Sequence, residues 1–155
     1  MATGATIHRA ELSIADMDRN YYADHSLTLA RHPSETAERL MVRVLAFAMF
    51  ADPDLAFGRG LSSDDEADLW LRDRTGLIEL WVDVGIPDEK WLRKACGRSR
   101  RVVVLAYGGS KADQWWKRNA AELQRLENLA VLSLPASSSA GLAALADRSM
   151  RLNVT

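Results

Sequence analysis

The stretch Leu77-Ile78-Glu79-Leu80-Trp81-Val82-Asp83-Val84-Gly85 reads as a β-strand, and the rest of the chain can be arranged around it. Its even positions are aliphatic, while Glu79, Trp81 and Asp83 take the odd ones. Side chains alternate faces along a strand, so one face suits a core and the other carries two carboxylates with an indole between them. A carboxylate on a half-buried face needs a cation, a hydrogen-bond donor or a metal ion. Four residues of strand span roughly 13 Å, so one ion does not readily bind both Glu79 and Asp83.

Downstream, Pro87 opens a helix to about Gly97, followed by an apolar strand Val102 to Tyr107. A helix from about Lys111 to Leu126, a strand Leu129 to Leu134, a short helix Ala140 to Ala146 and a strand from Met150 complete the chain. Strands alternating with helices across short links call for right-handed crossovers and a parallel sheet. Upstream, Ala5 to Ala15 and Tyr21 to Leu29 read as strands joined by the polar turn Asp16 to Asn20. They would add antiparallel members, giving a mixed sheet flanked by helices. A helix follows, with Pro33 in its first turn, Ser34 as cap and Leu40, Met41, Val44, Leu45, Ala48 and Met49 at helical spacing. It ends near Ala51. Leu55 to Leu61 reads as a short, bent strand. Ser63 and Glu66 match a capping box, which favours a short helix over Asp64 to Leu71. The competing reading pairs Leu69 to Arg72 with the 77–84 strand across Asp73 to Gly76.

With 48% apolar and 26% charged residues the chain is of the ordinary globular type, without a run long enough to span a membrane. No secretory signal is visible, and a single cysteine, Cys96, rules out an internal disulfide and a cysteine-cluster zinc site. A cytoplasmic location is the expectation. A net charge of -1 argues against nucleic-acid binding over the whole surface but leaves room for a local patch. Lys90, Arg93, Lys94, Arg98, Arg100 and Arg101 form a basic run, whereas Asp64, Asp65, Glu66 and Asp68 form an acidic one.

Two or three carboxylates with one lysine are the minimum for metal-assisted phosphodiester hydrolysis, and oxygen ligands of this kind suit Mg2+ or Mn2+. Lys94 lies about two turns along the helix that returns after the strand, roughly 10 Å back, which brings it nearer Asp83 than Glu79. Other candidates are Glu35 and Glu38 in the first helix and the acids of 64–68.

The segments His32-Pro33-Ser34-Glu35-Thr36-x-Glu38-Arg39, Arg59-Gly60-Leu61-x-x-Asp64-Asp65-Glu66, Glu79-x-Trp81-Val82-Asp83-x-Gly85-x-Pro87-Asp88-Glu89 and Trp115-Trp116-x-x-Asn119 resemble the bacterial YaeQ family. The resemblance covers about Ala5 to Thr155 and implies a variant of the PD-(D/E)XK, restriction-endonuclease-like fold with an acidic magnesium site. The nuclease signature places a lysine two residues after its strand acid. Here Gly85 follows Asp83 and Trp81 follows Glu79, so Lys94 would serve as a migrated replacement. Where similar sequences have Glu-Pro-Asp-Leu-Trp, this chain has Glu66-Ala67-Asp68-Leu69-Trp70, leaving the first metal aspartate open between Asp65 and Asp68. The family also continues past the length seen here, so the expectation is a single domain over 1–155 that lacks a last strand or hairpin.

The sequence thus points to a Mg2+-dependent nucleic-acid phosphodiesterase. Asp83 and an acid from Asp65, Glu66 and Asp68 would bind metal, with Glu79 in reserve. Glu38 would orient water or metal, and Lys94 would support the transition state. Lys90, Arg93, Lys94 and Arg98 would hold the phosphate backbone. The other class is a non-catalytic module binding nucleic acid or protein on the same fold. At Asp83 an arginine partner stands as an equal alternative to a metal, and for the basic run a solvated helix face is the plain reading.

Overall fold

The computed structural model describes residues 4–59 and 65–155. Strands β1 (Thr6–Asp16) and β2 (Tyr21–Arg31) pair antiparallel along their whole length, from Thr6 opposite Arg31 to Asp16 opposite Tyr21. Helix α1 (Ala37–Met49) follows, then β3 (Ala56–Phe57), β4 (Leu69–Arg72) and β5 (Ile78–Val84). The remainder alternates as α2 (Glu89–Arg98), β6 (Val102–Ala106), α3 (Ser110–Leu123), β7 (Leu129–Ser133), α4 (Ala136–Ala143) and β8 (Ser149–Val154).

These strands form two sheets rather than the single mixed sheet expected. The first is three-stranded, β2-β1-β8, with β8 parallel to β1; the second is five-stranded, β3-β4-β5-β6-β7. In the second, β5, β6 and β7 are parallel and β3 and β4 add antiparallel members. The reason lies in α1, where Leu40 to Val44 and Ala46 to Ala48 are all buried. A helix buried on nearly every side must sit between layers. One continuous core joins Ala10, Leu12 and Leu29 of the first sheet through α1 to Leu80, Val82 and Val103 of the second. A second core lies on the far side of the larger sheet, where Trp81, Val102 and Val104 meet Leu92 and Ala95 of α2 and Trp115 and Leu123 of α3.

Three local expectations change. Helix α1 begins later than Pro33 and Ser34 suggest: Thr36 is the cap, its hydroxyl accepting from Arg39 N at 3.0 Å, while His32 to Glu35 form a turn. The helix expected over Asp64 to Leu71 gives way to strand β4. Asp64 and the cap residue Ser63 lie outside the described residues, but Leu69 to Arg72 run antiparallel to β5, with Leu69 opposite Val82. The turn decides this. Asp73 Oδ1 accepts from Thr75 N at 2.8 Å, Thr75 Oγ1 at 2.6 Å and Leu77 N at 3.0 Å, and Gly76 takes φ 89°, closing a tight hairpin. The hydrogen bond from the Thr75 hydroxyl, joined by those backbone N–H groups, holds the Asp73 carboxyl below its ordinary range. Of Leu55 to Leu61, Ala56–Phe57 is strand, and residues 60–61 lie outside the described part.

The third change concerns the odd face of β5. Trp81 and Asp83 are buried on it, because α2 lays Trp91 and Leu92 over that face. Trp70 and Trp91 each meet Trp81 edge to face, with centroids 5.9 and 5.7 Å away. Asp83 is 4% exposed, which sharpens the question of what holds its charge. Among the described residues no helix is long and apolar enough to cross a membrane.

Candidate functional site

The hairpin of β4 and β5 sets Asp68, just before β4, across from Asp83 and Val84 near the carboxyl end of β5. Asp68 N donates to Asp83 Oδ1 at 3.2 Å, and Asp68 Oδ2 accepts from Val84 N at 2.8 Å. The aspartate side chain thus takes the place of a backbone rung where the ladder ends. Trp91 Nε1, from the first turn of α2, donates to Asp83 Oδ2 at 2.9 Å. Trp81 Nε1 also favours the ionised form of Asp83 but closes no hydrogen bond.

Asp68 connects this face to α1. Arg39 Nη2 reaches Asp68 Oδ1 at 2.5 Å, and Arg39 Nη1 reaches Glu35 Oε2 at 2.5 Å. Glu35 in turn receives Arg43 through two bonds, Nε to Oε2 at 2.9 Å and Nη2 to Oε1 at 2.7 Å. Glu35 and Arg43 are almost fully buried. The result is a chain of alternating charge, Arg43–Glu35–Arg39–Asp68, that runs from the inter-sheet core to the strand end. Arg43 interrupts an apolar run; Arg39 and Arg43, four residues apart, share one face of α1, and Glu35, in the turn just before the Thr36 cap, reaches both.

The electrostatics leave this site short of positive charge. Burial would depress Arg39, but Asp68 and Glu35 more than offset it and hold its pKa above the ordinary value. Among the described residues no cation pairs with Asp83, whose partners are Asp68 N and Trp91 Nε1. Burial first, and the Asp68 charge second, push its carboxyl up to about 6, against the pull of the Trp81 and Trp91 indoles and Asp68 N. Tyr107, directly after β6, lies in the same field. Burial raises its phenol, and Arg39, Glu38, Glu35 and Asp68 all act on it.

Of the acids read from the sequence, Asp68 and Asp83 are brought together and the others are engaged elsewhere. Asp65 is exposed and pairs with Lys94 Nζ at 3.4 Å, so Lys94 meets Asp65, and the helix residue that holds Asp83 is Trp91. Glu66 Oε1 pairs with Arg59 Nε at 3.2 Å. Glu79 pairs with Arg100 at 3.4 Å near the opposite end of β5 from Asp83. Glu38 sits in the first turn of α1, half-buried, close enough to act on Tyr107. Among the described residues no three acids, histidines or cysteines converge on one point. The basic run is likewise dispersed: Arg93 pairs with Glu89 and Glu122, Arg98 donates to Asp65 O and lies over the Trp81 ring, and Lys90 is exposed.

The remaining motif residues have structural roles. Asp88 caps α2, and Trp115 Nε1 donates to Pro87 O at 2.9 Å while Asn119 Nδ2 donates to Trp115 O, tying α3 to the loop after β5. Cys96 packs against the second core, and burial pushes its thiol up to about 11. Sequence reasoning assigned no role to Arg39, Trp91 or Tyr107. The spacing of Glu35, Arg39 and Arg43 was a signal for the first. Nothing in the sequence marks the other two, because their partners lie on separate elements.

Comparison with known proteins agrees with this arrangement of motifs. The YaeQ protein family model matches residues 1–155. YaeQ of Escherichia coli (strain K12) is 45% identical over 155 residues, covering 100% of this chain and 86% of the relative; YaeQ of Salmonella typhi is 44% identical with the same coverage. The crystal structure of YaeQ from Xanthomonas axonopodis pv. citri superposes with a TM-score of 0.94 at 58% identity, covering 97% of this chain and 86% of that one. YaeQ from Pseudomonas syringae gives 0.91 at 34% identity, covering 99% and 86%. These names assign no reaction, so chemistry has to be read from the site. The chain belongs to the YaeQ family.

Proposed function

We propose that this protein is a Mg2+- or Mn2+-dependent nucleic-acid phosphodiesterase of the cytoplasm, built on a variant of the restriction-endonuclease-like fold. The observation that carries the reading is the pair Asp68–Asp83, two acids brought together at one end of the β4–β5 hairpin, with Arg39 linking Asp68 to α1. One acid just before β4 and a second on β5 also follow the sequence order of the nuclease signature, an aspartate and then a strand acid.

A divalent ion suits the donor set. Each Asp oxygen accepts one N–H and keeps a further lone pair, and Mg2+ is commonly held by one or two carboxylates with water and substrate phosphate completing its shell. The raised carboxyl of Asp83 marks a place where added positive charge is favourable. When bound, the ion would supply a Lewis acid for the phosphoryl oxygens and an activated water. Asp68 and Asp83 would hold it. Arg39, fixed by Glu35, would keep Asp68 aimed. Glu38 would orient the water, and Lys94 and Arg98 would guide the phosphate backbone past Asp65.

The second reading, a module that binds without cutting, draws on the Arg39–Asp68 pair itself, since an arginine can satisfy the aspartate in place of a metal. A cleavage assay on single-stranded and duplex DNA and RNA in Mg2+ and Mn2+ separates the two. The phosphodiesterase reading expects metal-dependent cleavage that is lost in Asp68→Asn and Asp83→Asn. Tight binding of the same oligonucleotides with no cleavage in either metal supports the module instead.

A further inference from the structure

Tyr107 stands where the lysine of the nuclease signature is missing. Gly85 occupies that sequence position with φ 100°, and a Cβ built on it would lie 3.8 Å from Tyr107 Cε1. The register explains the approach. Gly85 N donates to Leu105 O at 2.9 Å, so the residue two beyond Leu105 extends past the end of β6 beside Gly85. The preceding residue, Val84, is the one whose N–H holds Asp68. The ring of Tyr107 packs against the inter-sheet core, and its hydroxyl makes no hydrogen bond among the described residues. A phenylalanine would fill that space equally well, so packing does not account for the oxygen. A phenol also brings a neutral donor to a place already crowded with carboxylates, where it accommodates an approaching phosphate without adding negative charge.

We propose that Tyr107 is a substrate-positioning residue whose hydroxyl donates a hydrogen bond to a non-bridging oxygen of the phosphodiester placed beside Asp68. This rests on the phosphodiesterase reading and extends it by naming the group that contacts the substrate where the lysine is absent. Gly85 fits this end of β5 through its φ of 100°, which L side chains rarely adopt, while a Cβ at 3.8 Å from the ring would make only an ordinary contact.

The test uses the full chain and its Tyr107→Phe variant with fluorescein-labelled single-stranded DNA and RNA oligonucleotides of matched length in Ca2+. Binding is followed by anisotropy, cleavage in Mg2+ separately, and folding by thermal melting. Loss of one hydrogen bond to a charged oxygen corresponds to about tenfold weaker binding or more. That loss, with KM raised more than kcat is lowered and an unchanged melting temperature, is the expected result. Equal affinity and equal KM in Tyr107→Phe would overturn the role of Tyr107 while leaving the phosphodiesterase reading intact if the parent chain cleaves. A parent chain that binds neither oligonucleotide overturns both.

Discussion

At the scale of single residues, the chain of charges from Arg43 to Asp68 shows how a buried carboxylate is supplied with hydrogen-bond partners by protein alone. Arg43 and Glu35 are each about as buried as a core leucine, and each satisfies the other. Replacing Glu35 by alanine leaves Arg43 without its partner, and breaking a buried pair in this way costs about 3–5 kcal/mol. Urea unfolding of Glu35→Ala is expected to show a loss of that size, and a loss below about 1 kcal/mol would mean the pair is not structural. Asp83 makes the opposite case. Its folded pKa, about 6, lies above the ordinary aspartate value of 3.8, so the folded state holds more protons between those values. Its contribution to stability is therefore fully present below about pH 4 and is lost as pH rises through 6. In metal-free protein, the melting temperature of the parent chain relative to Asp83→Asn is expected to fall from pH 4 to pH 7. A flat difference, or one that rises, would contradict the burial of an uncompensated carboxyl. Asp83 was legible from strand alternation alone. The pairing of Arg39 with Asp68 was not, because it joins residues 29 apart in sequence and depends on where α1 starts.

At the scale of elements, the site depends on where β4 begins. Gly58 N donates to Asp68 O at 2.9 Å, and a Cβ on Gly58 would fall 2.0 Å from Ala67 O, which is backbone and cannot swing aside. Gly58→Ala is therefore expected to push β3 off β4, destabilise the protein and weaken metal binding through Asp68. Gly76→Ala is a control of a different kind: nothing lies within 4 Å, and the cost comes from φ 89° alone, about 1 kcal/mol, with metal binding unchanged. Calorimetric titration and chemical unfolding of both variants check the contrast. If both bind metal as the parent does, the β3–β4 contact does not position the site. The parallel trio β5, β6 and β7 was readable from apolar runs and short links. Strand β4 was not, since the acids before it mimic a helix cap, and the Asp73–Gly76 turn that folds it back is only four residues long.

At the scale of the whole molecule, two sheets share one buried helix, and that helix carries the cation for the site at its own first turn. The mixed α/β character was plain in the order of elements, but the division into two sheets was not. It follows from α1 being buried on nearly all sides, a property visible only once its neighbours are placed. The arrangement leaves Asp68 and Asp83 as the acids in reach of one another, with Asp65, Glu66 and Glu79 each taken by a basic side chain. Everything proposed for this protein's chemistry depends on whether that pair takes up a divalent ion. Isothermal titration of metal-free protein with Mn2+, run in parallel on Asp83→Asn, tests this most directly. One ion bound per chain in the parent and none in the variant is the expected result; no binding in the parent, or equal binding in both, would contradict it.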